Sequence, residues 1–172
     1  MMTRGLTSSE RPTTLLWLQA GSCGGCTMSV LDNGAQGWAR ELKSFGIELL
    51  WHPSLSEQSA GEAIEILDAV AEGRTPLDFL CIEGSVLRGP EGSNRLAGTG
   101  RTMLDWIRRL APRARHCLAV GTCASYGGIH AAAPDPTEAC GLQYEGPDPG
   151  GALGSDYRSL SGLPVINIAG CA

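Results

Sequence analysis

Short apolar runs alternate with stretches whose apolar residues recur every three or four positions, which predicts strands separated by helices. Leu15 to Gln19 is the first run, a buried strand that opens into a glycine-rich segment. From Met28 the larger apolar residues fall at Leu31, Trp38, Leu42 and Phe45, a helical stripe that Asn33-Gly34 and Gly37 break and Gly46 ends. Ile47 to Trp51 is the second strand, closed by Pro53. Ala63, Ile66, Leu67 and Val70 return to helical spacing, with Gly73 as the stop. Leu77 to Ile82 is the third strand, followed by a loop over Arg88 to Gly98. Met103, Leu104, Ile107 and Leu110 mark a third helix, ended by Pro112, in which Asp105 and Arg109 are spaced for an i,i+4 pair. Arg115 to Val120 is the fourth strand and Pro164 to Ile168 the fifth. Between them runs a long irregular connection from Ala133 to Gly162, expected to be functional or to lie against something else.

Strands alternating with helices predict an α/β domain with a parallel sheet covered on both faces. Residues 1–13 are expected to be a flexible lead-in, and 14–172 the domain. In such sheets ligands gather beyond the carboxyl ends of the strands.

Those ends carry the chemistry. The first strand delivers Gly21-Ser22-Cys23-Gly24-Gly25-Cys26-Thr27-Met28, two cysteines in a glycine-lined loop. Backbone free of side chains approaches an inorganic core closely and aims N–H groups at its sulfurs. The fourth strand leads to the loop with Cys123 and the fifth to Cys171, while the third delivers Glu83 to the same edge. Four cysteines spread along the chain are therefore expected to converge on one rim with Glu83. That residue is either a plain surface carboxylate at a strand end or a group that tunes the site, conducts protons or touches a partner subunit. Spacing alone leaves zinc, a redox dithiol and an iron–sulfur cluster all open.

Composition narrows the setting. With 172 residues the chain buries a core without staples, and its 7 cysteines are an odd number in reduced, apolar contexts. A net charge of -5 supplies no basic face for nucleic acid. The start of the chain shows no export signal and no stretch suits a membrane span, so the expected location is cytoplasmic, with membrane association only through partners. Cys81 and Cys117 sit inside strands as small core residues, and Cys140 in the long connection is expected to be a spectator. Of the histidines, only His130 falls near the proposed chemistry. Arg88, Arg95 and Arg101 are expected to be solvated or at a subunit contact, since no phosphate-binding fingerprint is present.

Four stretches, Leu18 to Ser29, Ile82 to Ser85, Gly121 to Gly128 and Asn167 to Cys171, resemble in order the small subunit of nickel-iron hydrogenases. The resemblance implies a flavodoxin-like, doubly wound, mostly parallel sheet. It implies that Cys23, Cys26, Cys123 and Cys171 hold a proximal 4Fe-4S cluster, the first electron acceptor beside the catalytic metals. The nickel-iron centre belongs to a separate large subunit, so this chain has no catalytic centre of its own and passes electrons to a further electron-transfer protein or domain.

The chain departs from the family at three places. Ser22 stands where many relatives have Glu, so no proton relay is assigned there. Gly25 and Gly128 stand where oxygen-tolerant members have extra cysteines, which implies an ordinary cubane. No domain for medial and distal clusters follows Cys171, which favours a piece of a longer chain over a short single-cluster form. The alternative from another class is a zinc-binding or dithiol redox protein of the same fold without hydrogenase activity. A third candidate, the related cluster-bearing subunit of respiratory complex I, is marked by adjacent cysteines that this chain lacks.

Overall fold

The computed structural model describes residues 11–32, 37–90 and 94–171. Nine strands appear among them: β1 Thr13–Gln19, β2 Ile47–Trp51, β3 Leu77–Glu83, β4 Val86–Leu87, β5 Ala114–Val120, β6 Ala139–Cys140, β7 Tyr144–Glu145, β8 Asp148–Pro149 and β9 Ile166–Ile168. The helices are α1 Gly25–Asp32, α2 Trp38–Ser44, α3 Ala60–Ala71, α4 Met103–Leu110 and α5 Gly121–Tyr126.

Five strands form the central sheet in the order β2-β1-β3-β5-β9, every pair parallel. This is the doubly wound order of flavodoxin-like folds, in which the winding reverses between β1 and β3. The alternation of side chains across the pleat builds a core on each face. Leu16 and Leu18 of β1 join Leu80 and Ile82 of β3 under α3 and α4, while Leu15, Trp17 and Cys81 pack on the other face against Val30 and Trp38. Each fully buried Leu or Ile contributes about 1.5–3 kcal/mol.

Local chemistry fixes the covering helices. Ser59 and Glu62 close a capping box at the start of α3, whose Ala63, Leu67 and Val70 face inward. Thr102 and Asp105 do the same for α4, which buries Met103, Trp106, Ile107 and Leu110. Asp105 is thus used as a cap, and Arg109 turns away from it to reach Asp68 of α3 at 3.1 Å. The expected pair within α4 gives way to a bond between two helices.

The observed elements differ from expectation in four further ways. The lead-in is tied down from Arg11, whose guanidinium holds Asp78 at 2.6 and 2.9 Å, and β1 begins at Thr13; residues 1–10 lie outside the described residues. The first helical stripe is two helices, with its Asn33-Gly34 break also outside the described residues. Cys26 and Cys123 lie in helix first turns, not in loops. The connection from Ala133 to Gly162 folds back onto its own domain: Cys140 and Leu142 are fully buried and β6 pairs with β4. Gln143 is the staple of that segment, donating to the carbonyls of Gly154, Ser155 and Tyr157 and accepting from Val165 N–H at 2.6 Å.

Candidate metal centre

Register places the strand ends. Gln19 pairs with Glu83, Glu83 with Val120, and Val120 with Ile168, so β1, β3, β5 and β9 end at one level. The chain continues from three of those ends into Cys23 and Cys26, Cys123, and Cys171. All four cysteines share the rim: burial pushes the Cys26 thiol up, and the charges of Glu83, Cys123, Cys23 and Cys171 add to the effect. Cys23 and Cys171 are exposed, Cys26 and Cys123 half-buried.

Backbone contacts hold these sulfurs. Gly25 N–H points at Cys23 Sγ at 3.4 Å, and Cys26 Sγ lies 3.7 Å from Val120 O. Thr122 ties Cys171 to the Cys123 helix, since the Gly170 carbonyl accepts from Thr122 N–H at 2.7 Å and from its hydroxyl at 2.9 Å. Gly121, at φ +87°, starts α5 in a conformation that L side chains rarely adopt, and a Cβ there would stand 2.5 Å from Cys26 Sγ. A Cβ at Gly128 would stand 2.5 Å from Cys123 Sγ. The cradle is thus open where side chains would fill it, and a shallow cavity of about 250 Å³ lies between Cys26 and Cys171.

Among the described residues, no three His, Cys, Asp or Glu groups close around a single ion. A zinc ion draws all its thiolates to about 2.3 Å of one point, whereas a four-iron core offers each thiolate its own iron. Four soft thiolate donors on a glycine-lined rim have the chemistry to hold such a cluster, and thiolates bind zinc as well.

Glu83 is no surface carboxylate, being 1% exposed at the end of β3. Its Oε1 accepts from Ser22 Oγ at 2.8 Å and Thr27 N–H at 3.3 Å. Its Oε2 accepts from Trp17 Nε1 at 3.1 Å, Gln19 Nε2 at 3.2 Å and the Thr27 hydroxyl. Burial alone would raise its pKa, but the donors Thr27, Ser22 and Gln19 outweigh burial and hold it below the ordinary carboxylate range. Gly84, at φ +89°, lets the β1 loop backbone come close enough for Ser22 to reach this carboxylate.

His52 is the group the sequence reading passed over. It is 1% exposed, lies tilted against Trp17 and edge-on to Trp38, and sits 3.2 Å from Thr27 Oγ1. His130 is exposed and bonded to Ser85, farther back on the Cys123 side. Cys81 and Cys117 are buried core residues as expected, their thiols pushed up to about 12 by burial. The arginines named from sequence are engaged within the chain, Arg88 with Glu145 at 2.6 Å, Arg95 with Gly100 O, and Arg101 over Trp106.

A model of the family described as NADH ubiquinone oxidoreductase, 20 Kd subunit, matches residues 23–172. The chain belongs to that family. Its description is that of the third candidate from sequence, while the curated relatives that match most of the chain are named as hydrogenase small subunits. The chain is 36% identical to the periplasmic NiFe hydrogenase small subunit 1 of Nitratidesulfovibrio vulgaris, over 98% of this chain and 48% of that one. It is 29% identical to the hydrogenase-2 small chain of Escherichia coli, over 99% of this chain and 41% of that one. The solved NiFeSe hydrogenase of Desulfovibrio vulgaris Hildenborough superimposes with a TM-score of 0.77 at 34% identity, covering 97% of this chain and 56% of that one.

The chain spans about half the length of the curated relatives it matches. No helix among the described residues is long and apolar enough to cross a membrane. One relative is named as periplasmic, so the comparisons lend the expected cytoplasmic location no support.

Proposed function

We propose that this chain is the electron-transfer small subunit of a nickel-iron hydrogenase, with Cys23, Cys26, Cys123 and Cys171 as ligands of a proximal 4Fe-4S cluster. The observation that carries the reading is the common level of four strand ends, which sets four cysteines from three distant segments on one rim. A cluster of this class takes up and releases one electron at a time. The residues of the chain supply the rest. The thiolates are the soft donors that iron prefers, the N–H of Gly25 lowers the charge density on Cys23 Sγ, and Thr122 holds the last ligand beside the third.

The partner in this reading is a hydrogenase large subunit that carries the nickel-iron centre, with a further electron-transfer protein or domain beyond the cluster. Support comes from three large apolar side chains that surround the cysteines and face solvent: Met28 is 64% exposed, Ile129 82% and Ile168 49%. Exposed apolar area of this kind marks a partner surface. The reading keeps the chain in the cytoplasm, the location expected from its sequence.

The test is Cys123→Ser in the intact complex. The large subunit should still exchange hydrogen isotopes with water, while hydrogen-dependent reduction of a viologen dye is lost. Dye reduction at the wild-type rate would overturn the proposal.

A further inference from the structure

Ser22 precedes Cys23 and Thr27 follows Cys26, and both donate to the same oxygen of Glu83. The carboxylate therefore bridges the two flanks of the cysteine loop from the end of a different strand. Ser22 Oγ also accepts from Gly24 N–H at 2.9 Å, so the bridge extends into the loop itself.

The direction of the bonds behind this bridge is fixed by counting protons. His52 Nδ1 accepts from Ser54 N–H at 3.1 Å, so the ring proton sits on Nε2 and is donated to Thr27 Oγ1. Thr27 Oγ1 accepts a second bond from Gln19 Nε2 at 2.9 Å, which fills both its lone pairs and leaves its one proton for Glu83 Oε2. Burial lowers the pKa of His52, against the pull of Glu83, and keeps the ring in this neutral form. His52, Thr27 and Glu83 are all at least 96% buried by their exposures of 1%, 4% and 1%. A buried chain in which every member is satisfied orders its surroundings strongly.

We propose that Glu83, Thr27 and His52 are positioning residues that clamp the Cys23–Cys26 loop in its ligand-bearing shape. All these bonds join β1, the loop, α1 and the end of β3 within the chain itself. The inference rests on the reading of Cys23 and Cys26 as cluster ligands. Glu83 has a second effect, because a buried anion behind the ligands disfavours adding an electron to the site.

The test uses the intact complex with Thr27→Val, Thr27→Ser, Glu83→Gln and Ser22→Ala, purified without oxygen. Losing one or two hydrogen bonds to a buried carboxylate should speed iron loss to a chelator about tenfold in Thr27→Val and Glu83→Gln. Thr27→Ser, which keeps the hydroxyl, should restore the wild-type rate, and Glu83→Gln should raise the midpoint potential of the site. Thr27→Val releasing iron at the wild-type rate would overturn the clamp. Should Glu83→Gln fail to fold, the Thr27 pair and Ser22→Ala decide, with Ser22→Ala expected to lose iron faster than wild type. A wild-type complex lacking iron and sulfide would instead sink the cluster reading. Amide exchange over Ser22 to Thr27 then judges the clamp by itself, faster in Thr27→Val if it holds and unchanged if it does not.

Discussion

Two buried carboxylates of β3 are held by opposite means. Glu83 is surrounded by neutral donors, whereas Asp78, at the other end of the strand, takes a bidentate pair from Arg11 and bonds from Thr14. The Arg11 guanidinium leads in holding Asp78 at about 2, against the cost of burial. A carboxylate with a lowered folded pKa contributes stability that is complete above the unfolded value near 4 and lost as pH falls through about 2. With Arg11 half-exposed and screened, that contribution is about 1–2 kcal/mol. Asp78→Asn should lower the unfolding free energy of the chain, measured by urea titration at pH 7, by this amount and flatten the loss between pH 4 and pH 2. An unchanged acid limb would contradict this.

The cysteines were legible as residues because glycine punctuation follows each strand. Glu83 was placed on the rim, but its burial was not legible, since its donors come from β1, the loop and α1. His52 was missed for the same reason: a His-Pro pair reads as a turn, and its partner Thr27 lies far away in sequence.

At the scale of elements, the alternation of periods gave the five sheet strands and the order of helices with only small shifts at their ends. Helix caps show why. Thr102→Ala should cost about 1 kcal/mol of stability in thermal unfolding, because the hydroxyl accepts Asp105 N–H at 3.0 Å. What the pattern hid was α5 and the fold-back of residues 133–162. Gly-Thr-Cys reads as a loop, and a segment rich in Gly and Pro reads as lying against something else until Gln143 is seen tied to Val165 and three carbonyls of the same chain. Gly121 brings α5 against the Cys26 sulfur. Gly121→Ala should cost about 1–2 kcal/mol for the left-handed backbone and, in addition, lower the iron content by pushing on Cys26 Sγ. Full iron content in that variant would contradict the cradle described above.

Across the whole molecule, two groups of exposed apolar side chains lie outside the core, besides Leu31 of α1 and Phe45 just after α2. Met28, Ile129 and Ile168 surround the cysteines, while Leu160, Leu163 and Ile166 run along the β9 side of the sheet. Neither group was legible in sequence, because an apolar residue reads as core, in an element or in a loop such as that of Leu160 and Leu163, until the fold shows which face is uncovered. Ile129→Asp should leave the unfolding free energy of the chain within about 0.5 kcal/mol of wild type, as at other exposed positions. In a gel-filtration assay of the complex it should release the large subunit, and retained association would argue against this face as the contact.

The most direct measurement is iron and acid-labile sulfide in the oxygen-free complex, wild type against Cys123→Ser. A four-thiolate cubane predicts that the variant lacks about four irons and four sulfides per chain, whatever other clusters the complex holds. Equal iron and sulfide in the two, or a loss of zinc alone, would contradict the assignment of these four cysteines.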